Sequence, residues 1–240
     1  MKRDVLDQLC ADRADKRAVA LVTHLATGIQ ILVYPTDNNA ETGLDPAIIE
    51  AALQALHDDK SRMIESADGD VFIHVHNPPL RLIIVGAVHI AQPLARMAVV
   101  AGYAVTVIDP RQAFASPEQF DDVALCNDWP DEAMRALEPD GRTAVVTLTH
   151  DPKLDDPALD VALRSPVFYI GSLGSNRTHG KRRDRLTELG FDEAAFARIH
   201  GPVGLDIGAF TPAEIAVSIM AEITQVRRRG PAPAANTTGP

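Results

Sequence analysis

Hydrophobic and polar positions follow two different rhythms, with the change at Asn77-Pro78-Pro79. Before that point the elements are short and mixed. Residues 2–15 set Val5, Leu6, Leu9 and Cys10 at helical spacing and predict a helix with those side chains on one face. Arg17–Leu25 and Ile29–Tyr34 are apolar runs on either side of Thr27-Gly28, the pattern of a hairpin. Asp45-Pro46 offers an N-cap carboxylate followed by proline at the first helical position. The helix it opens reaches about His57, with Ile49, Leu53 and Leu56 inward. Val71–Val75 is a further short strand. Residues 1–77 therefore read as a small α+β segment, and the paired prolines as a stiff joint.

After the joint, strands and helices alternate. Arg81-Leu-Ile-Ile-Val-Gly86 is almost unbroken in its apolar character, as suits a parallel strand covered on both faces. A helix to about Ala101 follows, with Leu94, Met97, Ala98 and Ala101 on its inner side. Strands are predicted at Ala104–Asp109, Val123–Cys126, Thr143–Thr149 and Val167–Ile170. Helices are predicted at Trp129–Leu137, from an Asp156-Pro157 cap to before Ser165, and at Asn176–Leu189, closed by Gly190. The last helix has a capping box, Thr211-Pro212-Ala213-Glu214, with Ile215, Ile219, Ile223 and Val226 as its buried face. This order predicts an α/β fold, a Rossmann-like doubly wound, mostly parallel sheet over residues 78–229. Residues 230–240, rich in Pro, Ala and Thr, are expected to be disordered.

Composition narrows the function. The net charge of −10 disfavours nucleic-acid binding. No apolar run is long enough to span a membrane, and Asp4, Asp7, Asp12 and Asp15 speak against a secretion signal. Two cysteines are too few for a disulfide framework, so a cytoplasmic location is expected. Cys10 and Cys126 read best as small buried hydrophobes. His74 and His76 share a strand face, which makes two ligands at most for a metal, and a solvated face is the simpler reading.

In doubly wound sheets, ligands gather beyond the carboxyl ends of the strands. The first such turn, Gly86-Ala-Val-His-Ile-Ala91, keeps one of the three glycines of a dinucleotide fingerprint. Val88 occupies the position where backbone would approach a pyrophosphate. Asp109 lies about 20 residues on, where an acid would take a ribose hydroxyl, and Arg111 could instead hold phosphate. A Rossmann-shaped core without a nicotinamide site is favoured over ordinary NAD(P) binding.

Three further strand ends carry polar groups. His150 and Asp151 can orient a ligand or exchange protons, or simply form a turn. Gly171-Ser172-Leu173-Gly174-Ser175-Asn176-Arg177 combines amides, hydroxyls, a helix start and a guanidinium. It reads equally as an anion pocket and as a plain capped loop. Lys181, Arg182, Arg183 and Arg185 beyond it read as a solvated helix face. His200–Gly208 holds three glycines and Asp206, and serves either as a backbone held close to a ligand or as a tight connection.

Taken together, Leu82–Ile90, Thr147–Asp151, Tyr169–Arg177 and especially His200–Ile219 resemble the XdhC/CoxI family, accessory proteins that mature molybdenum hydroxylases such as xanthine and carbon monoxide dehydrogenases. The resemblance covers about residues 70–229. The family's Gly-x-Gly-His-Val turn is matched at Gly86 and His89, with Val88 for the second glycine. The Gly-Gly-Cys-Val-Glu motif of long family members does not occur in this sequence.

The resemblance implies a chaperone rather than a catalyst. Its cargo would be the molybdenum cofactor, as molybdopterin or its dinucleotide form. Its partners would be an apo-hydroxylase and a cysteine desulfurase-type sulfur donor, with a homodimer as one open assembly. Gly171, Ser172, Gly174, Ser175 and Arg177 would hold phosphate. Gly86, His89, His150 and Asp206 would line the cavity, and Asp109 would meet a ribose. The alternatives are an NAD(P)-dependent oxidoreductase and a ligand-free module that docks on the hydroxylase.

Overall fold

A computed structural model describes residues 2–37, 39–111, 119–120 and 122–229. The tail predicted over 230–240 lies outside the described residues. Backbone contacts divide the chain into two compact units, Met1–Pro78 and Pro79–Pro240.

In the first unit, α1 (Arg3–Ala14) precedes β1 (Val19–His24) and β2 (Gln30–Val33), and α2 (Pro46–Asp58) precedes β3 (Arg62–Ile64) and β4 (Val71–His76). The strands form an antiparallel sheet ordered β2-β1-β4-β3. Alternation along β1 sends Ala20 and Val22 to the α2 side, against Ile48, Ala52, Ala55 and Leu56. Val19 and Leu21 face Leu9 of α1. The predicted hairpin forms, and Asp45 caps α2 by accepting from Ala47 N–H at 2.8 Å. The burial pattern differs from the expected one. Leu6 and Cys10 are exposed, and the buried partner of Leu9 is Asp12, one turn on. Its carboxylate accepts from Tyr34 O–H at 2.7 Å, and burial together with that bond pushes the Tyr34 pKa up to about 12. In α2 the inward side is Ile48, Ala52, Ala55 and the expected Leu56, with Ile49 and Leu53 half-buried.

The second unit contains β5 (Arg81–Val85), α3 (Ala91–Val100), β6 (Ala104–Ile108), β7 (Ala124–Cys126), α4 (Pro130–Leu137), β8 (Thr143–Thr147) and α5 (Pro152–Arg164). It continues with β9 (Tyr169–Ser172), α6 (Asn176–Glu188), α7 (Glu193–Phe196), β10 (Ile199–His200) and α8 (Pro212–Arg229). Its sheet is parallel throughout, in the order β10-β9-β8-β5-β6-β7. Leu82 and Ile84 face α3 and α8 through Leu94, Ala98, Ile219 and Ile223. Ile83 and Val85 face α4 and α5 through Met134, Leu159 and Leu163. Covering both faces is why β5 reads as an unbroken apolar run, and each such side chain contributes about 1.5–3 kcal/mol on burial.

Three sequence expectations shift. The helix after β8 starts at the earlier Asp-Pro pair: Asp151 caps it, and Pro157 falls inside it. Leu154, Ala158, Leu159, Ala162 and Leu163 bury one long face, which outweighs the hydrogen bond lost at Pro157. The fifth parallel strand lies two residues later than predicted, which brings Gly171 and Ser172 into β9. Ala101 is exposed, and the inner side of α3 is Ala91, Leu94, Ala95 and Ala98. The short α7 and β10 had no prediction.

Candidate functional site

Strand order places the switch point between β5 and β8, because the chain leaves β5 toward β6 and later returns to β8 on the other side. Gly86 sits there with φ +106°, and its N–H donates to the Ile108 carbonyl at 2.8 Å. A Cβ at this position would collide with Thr149 Cγ2, so close passage of the β8 end requires the glycine. Ala87 N–H donates to Asp109 Oδ2 at 2.8 Å. Arg111 grips the same carboxylate: its N–H and Nε donate to Oδ1 at 3.0 and 2.9 Å, and Nη2 to Oδ2 at 2.8 Å. Asp109 has no exposed surface. Burial opposes its charge, but these bonds prevail and hold the pKa below the usual carboxylate value. Val88 packs against the core, and His89 is exposed.

The β8 end is built differently. Thr149 Oγ1 donates to Asp155 Oδ1 at 2.6 Å, and Asp151 accepts from Lys153 N–H at 3.0 Å as the α5 cap. The backbone turns through a left-handed residue, His150, at φ +60°. The Asp151 carboxylate thus serves the helix, and His150 is exposed beside the opening of a cavity.

Within β9, Gly171 is a packing position, where a Cβ would strike Val203 and the Tyr169 hydroxyl. The Ser172 hydroxyl is buried against Thr147 Oγ1 at 2.5 Å. Gly174 runs at φ +144° over Thr178. Ser175 caps α6, accepting from Thr178 N–H at 3.3 Å. The Leu173 carbonyl accepts from Arg182 Nη2 at 2.9 Å. The loop's polar groups are therefore largely engaged within the chain, and Arg177 is left exposed at its end.

The glycine-rich stretch after β10 is likewise held by packing. Gly201 lies under the His179 ring, and Gly204 against Ser218 of α8. Glu222 ties it down. Its carboxylate accepts from Tyr169 O–H at 2.5 Å and Gly204 N–H at 2.8 Å, and pairs with His200 Nδ1 at 3.1 Å. Burial works against the Glu222 charge, yet those three bonds lower its pKa. Asp206 is exposed.

His150, Pro152, Asp155, Arg177, Thr178, Lys181, Arg182 and Arg185 enclose a cavity of about 480 Å³. Of the residues expected at the site, it gathers His150 and Arg177. Gly86, His89, Asp109, Gly171, Ser172, Gly174, Ser175 and Asp206 are not among its lining residues. Four of its residues went unrecognised in the sequence: Asp155, Lys181, Arg182 and Arg185. The basic run is not a solvated face throughout. Arg182 is 1% exposed, and Arg185 grips Asp156 at 2.5 and 3.0 Å. A signal was present, since Thr178, Lys181, Arg182 and Arg185 follow i, i+3, i+4, i+7 spacing and so share one face of α6. A larger groove of about 690 Å³ between α3 and α8, lined by Met97, Val217 and Met220, contains none of the strand-end residues. Cys126 is half-buried, with its thiol pKa raised by burial, and Cys10 is exposed. The His74 and His76 rings lie 4.1 Å apart, tilted by 53°, and among the described residues no group of three or more His, Cys, Asp or Glu is arranged to hold a metal.

Residues 82–223 match the model of the XdhC Rossmann domain, more than half of the chain. The chain belongs to the XdhC family. It is similar to YqeB of Escherichia coli K12, 34% identical over 203 residues, which are 77% of this chain and 37% of the relative. A Bacillus subtilis protein named as a probable component of xanthine dehydrogenase is 34% identical over 161 residues, 67% of this chain and 47% of that one. The E. coli molybdenum cofactor insertion chaperone PaoD is 33% identical over 150 residues, 62% of this chain and 41% of its own. The XdhC-family chain thus spans less than half the length of these curated relatives. A crystal structure described as a xanthine dehydrogenase from Bacillus halodurans superposes with a TM-score of 0.70 at 26% identity, covering 94% of this chain and 67% of that one. No helix among the described residues is long and apolar enough to cross a membrane.

Proposed function

We propose that this XdhC-family chain is a maturation protein for a molybdenum hydroxylase. It takes up the molybdenum pterin cofactor as cargo, supports its sulfuration and passes it to the apo-enzyme in the cytoplasm. One observation carries this reading: a polar, cation-lined cavity at the strand ends, in a chain similar to a cofactor insertion chaperone. Arg177 and Lys181 at the rim and Arg182 in the wall would hold the anionic end of the cargo by charge-assisted hydrogen bonds. His150 would border it, and the Gly171–Ser175 loop would act as the scaffold that presents Arg177. Gly86 and Asp109 would shape the neighbouring turn, while His89 and Asp206 would lie on the approach to it. Handover needs only different affinities for the loaded and empty partner, not covalent chemistry.

A nicotinamide-dependent oxidoreductase has less support. The Asp109 oxygens that would accept from a ribose already accept from Ala87 and Arg111, and Val88 fills the close-approach position. The test is to purify the full chain from cells that make the cofactor. Ligand is then released by denaturation and identified by fluorescence and mass spectrometry. Stoichiometric pterin is expected. Its repeated absence, together with unchanged hydroxylase activity after deletion of the gene, would overturn the proposal, and micromolar NADH or NADPH binding with turnover would replace it.

A further inference from the structure

We infer that the cavity between α5 and α6 is built to bind a phosphomonoester, with Asp155 recognising the proton or O–H that such an anion carries. The inference rests on the maturation reading only in identifying the cavity's occupant with the anionic end of that cargo.

Two residues lining this cavity each hold a buried polar atom with no hydrogen-bond partner among the described residues. Asp155, in the first turn of α5, is 2% exposed. Its Oδ1 accepts from Thr149 Oγ1 at 2.6 Å and from Thr149 N–H at 3.3 Å, while Oδ2 has no partner among the described residues. Arg182, in the middle of α6, is 1% exposed. Its Nη2 donates to the Leu173 carbonyl at 2.9 Å and its Nη1 to His179 Nδ1 at 3.3 Å, while Nε has no partner among the described residues. Both side chains line the same cavity, and their charges influence each other. Leaving each such atom buried and unpaired is a penalty on the folded state. Closing the two into one ion pair would remove both penalties, yet no ion pair joins them among the described residues. The guanidinium is held instead by Leu173 and His179, and the carboxylate by Thr149.

A single group that satisfies both atoms must accept from Arg182 Nε–H and donate to Asp155 Oδ2. Among anions, that excludes any with no proton of its own. An ionised carboxylate only accepts hydrogen bonds, so an oxygen of sulfate or of a phosphodiester would meet it lone pair to lone pair. A phosphomonoester loses its second proton only near pH 6, so it can still present an O–H at little cost. The rim cations Arg177 and Lys181 draw in any anion, and Asp155 then rejects those without the proton. Applied to a pterin cargo, this favours a form whose phosphate ends the molecule over a dinucleotide form, whose phosphate is capped by a pyrophosphate bridge and has no such proton.

The test measures affinity of the full chain at pH 7 in chloride buffer by calorimetry. The probes are inorganic phosphate, phenyl phosphate, sulfate and methyl phenyl phosphate. Phosphate and phenyl phosphate are expected to bind at least tenfold more tightly than the other two. Asp155→Asn, whose amide can donate, should abolish the preference by raising affinity for sulfate and the diester. Lys181→Ala should weaken all four together and keep the preference. Equal binding of phosphate and sulfate, binding of neither, or a preference that survives Asp155→Asn would overturn the inference. Binding of inorganic phosphate without phenyl phosphate would overturn the ester assignment. Pterin recovered from a chain with no preference sinks this inference and spares the maturation reading. A tenfold preference in a chain that never carries pterin does the reverse.

Discussion

Two carboxylates stand at the carboxyl ends of neighbouring parts of one sheet, both buried, and their surroundings treat them oppositely. Asp109 beyond β6 is surrounded by donors from Ala87 and Arg111 and has a lowered pKa. Asp155 beyond β8 has one oxygen in use, and burial, only partly offset by Thr149 and Arg182, raises its pKa. The first arrangement stabilises a turn. The second spends stability on keeping an acceptor available, which is the usual signature of a binding site. The position that most resembles a nucleotide motif is thus the one closed by its own chain, and the open position carries no recognisable motif.

The most damaging way to break the comparison is to disturb Gly86, which separates the two sides. Gly86→Ala forces a Cβ into Thr149 and a side chain into φ +106°. A loss of about 3 kcal/mol is expected in denaturant titration. Because Thr149 positions Asp155, phosphate affinity should fall in the same variant. A variant of full stability would show that the turn can relax away from β8.

Next in size is Asp109→Ala, expected to cost about 2–3 kcal/mol by leaving Ala87 N–H and Arg111 without their acceptor. The pH dependence follows with its sign. A carboxylate whose folded pKa is depressed contributes stability that is present above its unfolded pKa, about pH 4, and is lost as pH falls through the folded value. For Asp155, with a raised folded pKa, the sign reverses. Its contribution is most favourable below the unfolded pKa and is lost as pH rises through the folded value. The groups facing it are Thr149, His150, Arg182 from α6 and, at longer range, Arg111. Comparing unfolding free energies at pH 4 and pH 7 for the unmodified chain and each Asp→Asn variant should give slopes of opposite sign. Asp155→Asn should hold or raise stability at pH 7, where Asp109→Asn lowers it. Two slopes of the same sign would erase the contrast.

How much of this was legible in the sequence varied with the kind of signal. The buried strands were visible because covering a strand on both faces demands an apolar run, as at Leu82–Val85. The start of α8 was visible because Thr211 and Glu214 complete a capping box locally, and the bonds form, Glu214 accepting from Thr211 N–H at 2.7 Å. The start of α5 was not, because Asp151-Pro152 and Asp156-Pro157 obey the same local rule. Only the packing of Leu154 and Leu159 on the sheet decides between them. Strand β10 pairs two residues with β9, too few for any period. At the site, His150 and Arg177 were legible because they flank strand ends. Asp155 and Arg182 were not, since an acid next to another acid and an arginine in a basic run look solvated until burial is known.

The smallest expected effect on stability falls on Arg177, and it separates a binding site from a surface loop. The side chain is exposed at the second position of α6, it lines the cavity, and the cap that starts the helix is made by Ser175 and Thr178 without it. Arg177→Ala should therefore change unfolding free energy by no more than about 0.5 kcal/mol. The same truncation removes a cation from the rim, where a partly solvated charge-assisted contact is worth about 1 kcal/mol. Phosphate affinity should then fall about fivefold by calorimetry, with the preference over sulfate retained because Asp155 is untouched. If affinity stays the same while delivery to a hydroxylase also stays intact, the loop is only a connector, and the cavity would have to bind its anion through Lys181 and Arg182 alone. If stability drops instead, Arg177 belongs with Asp109 among the residues that hold the sheet edge together, and the line between a closed side and an open side would have to be redrawn between α5 and α6.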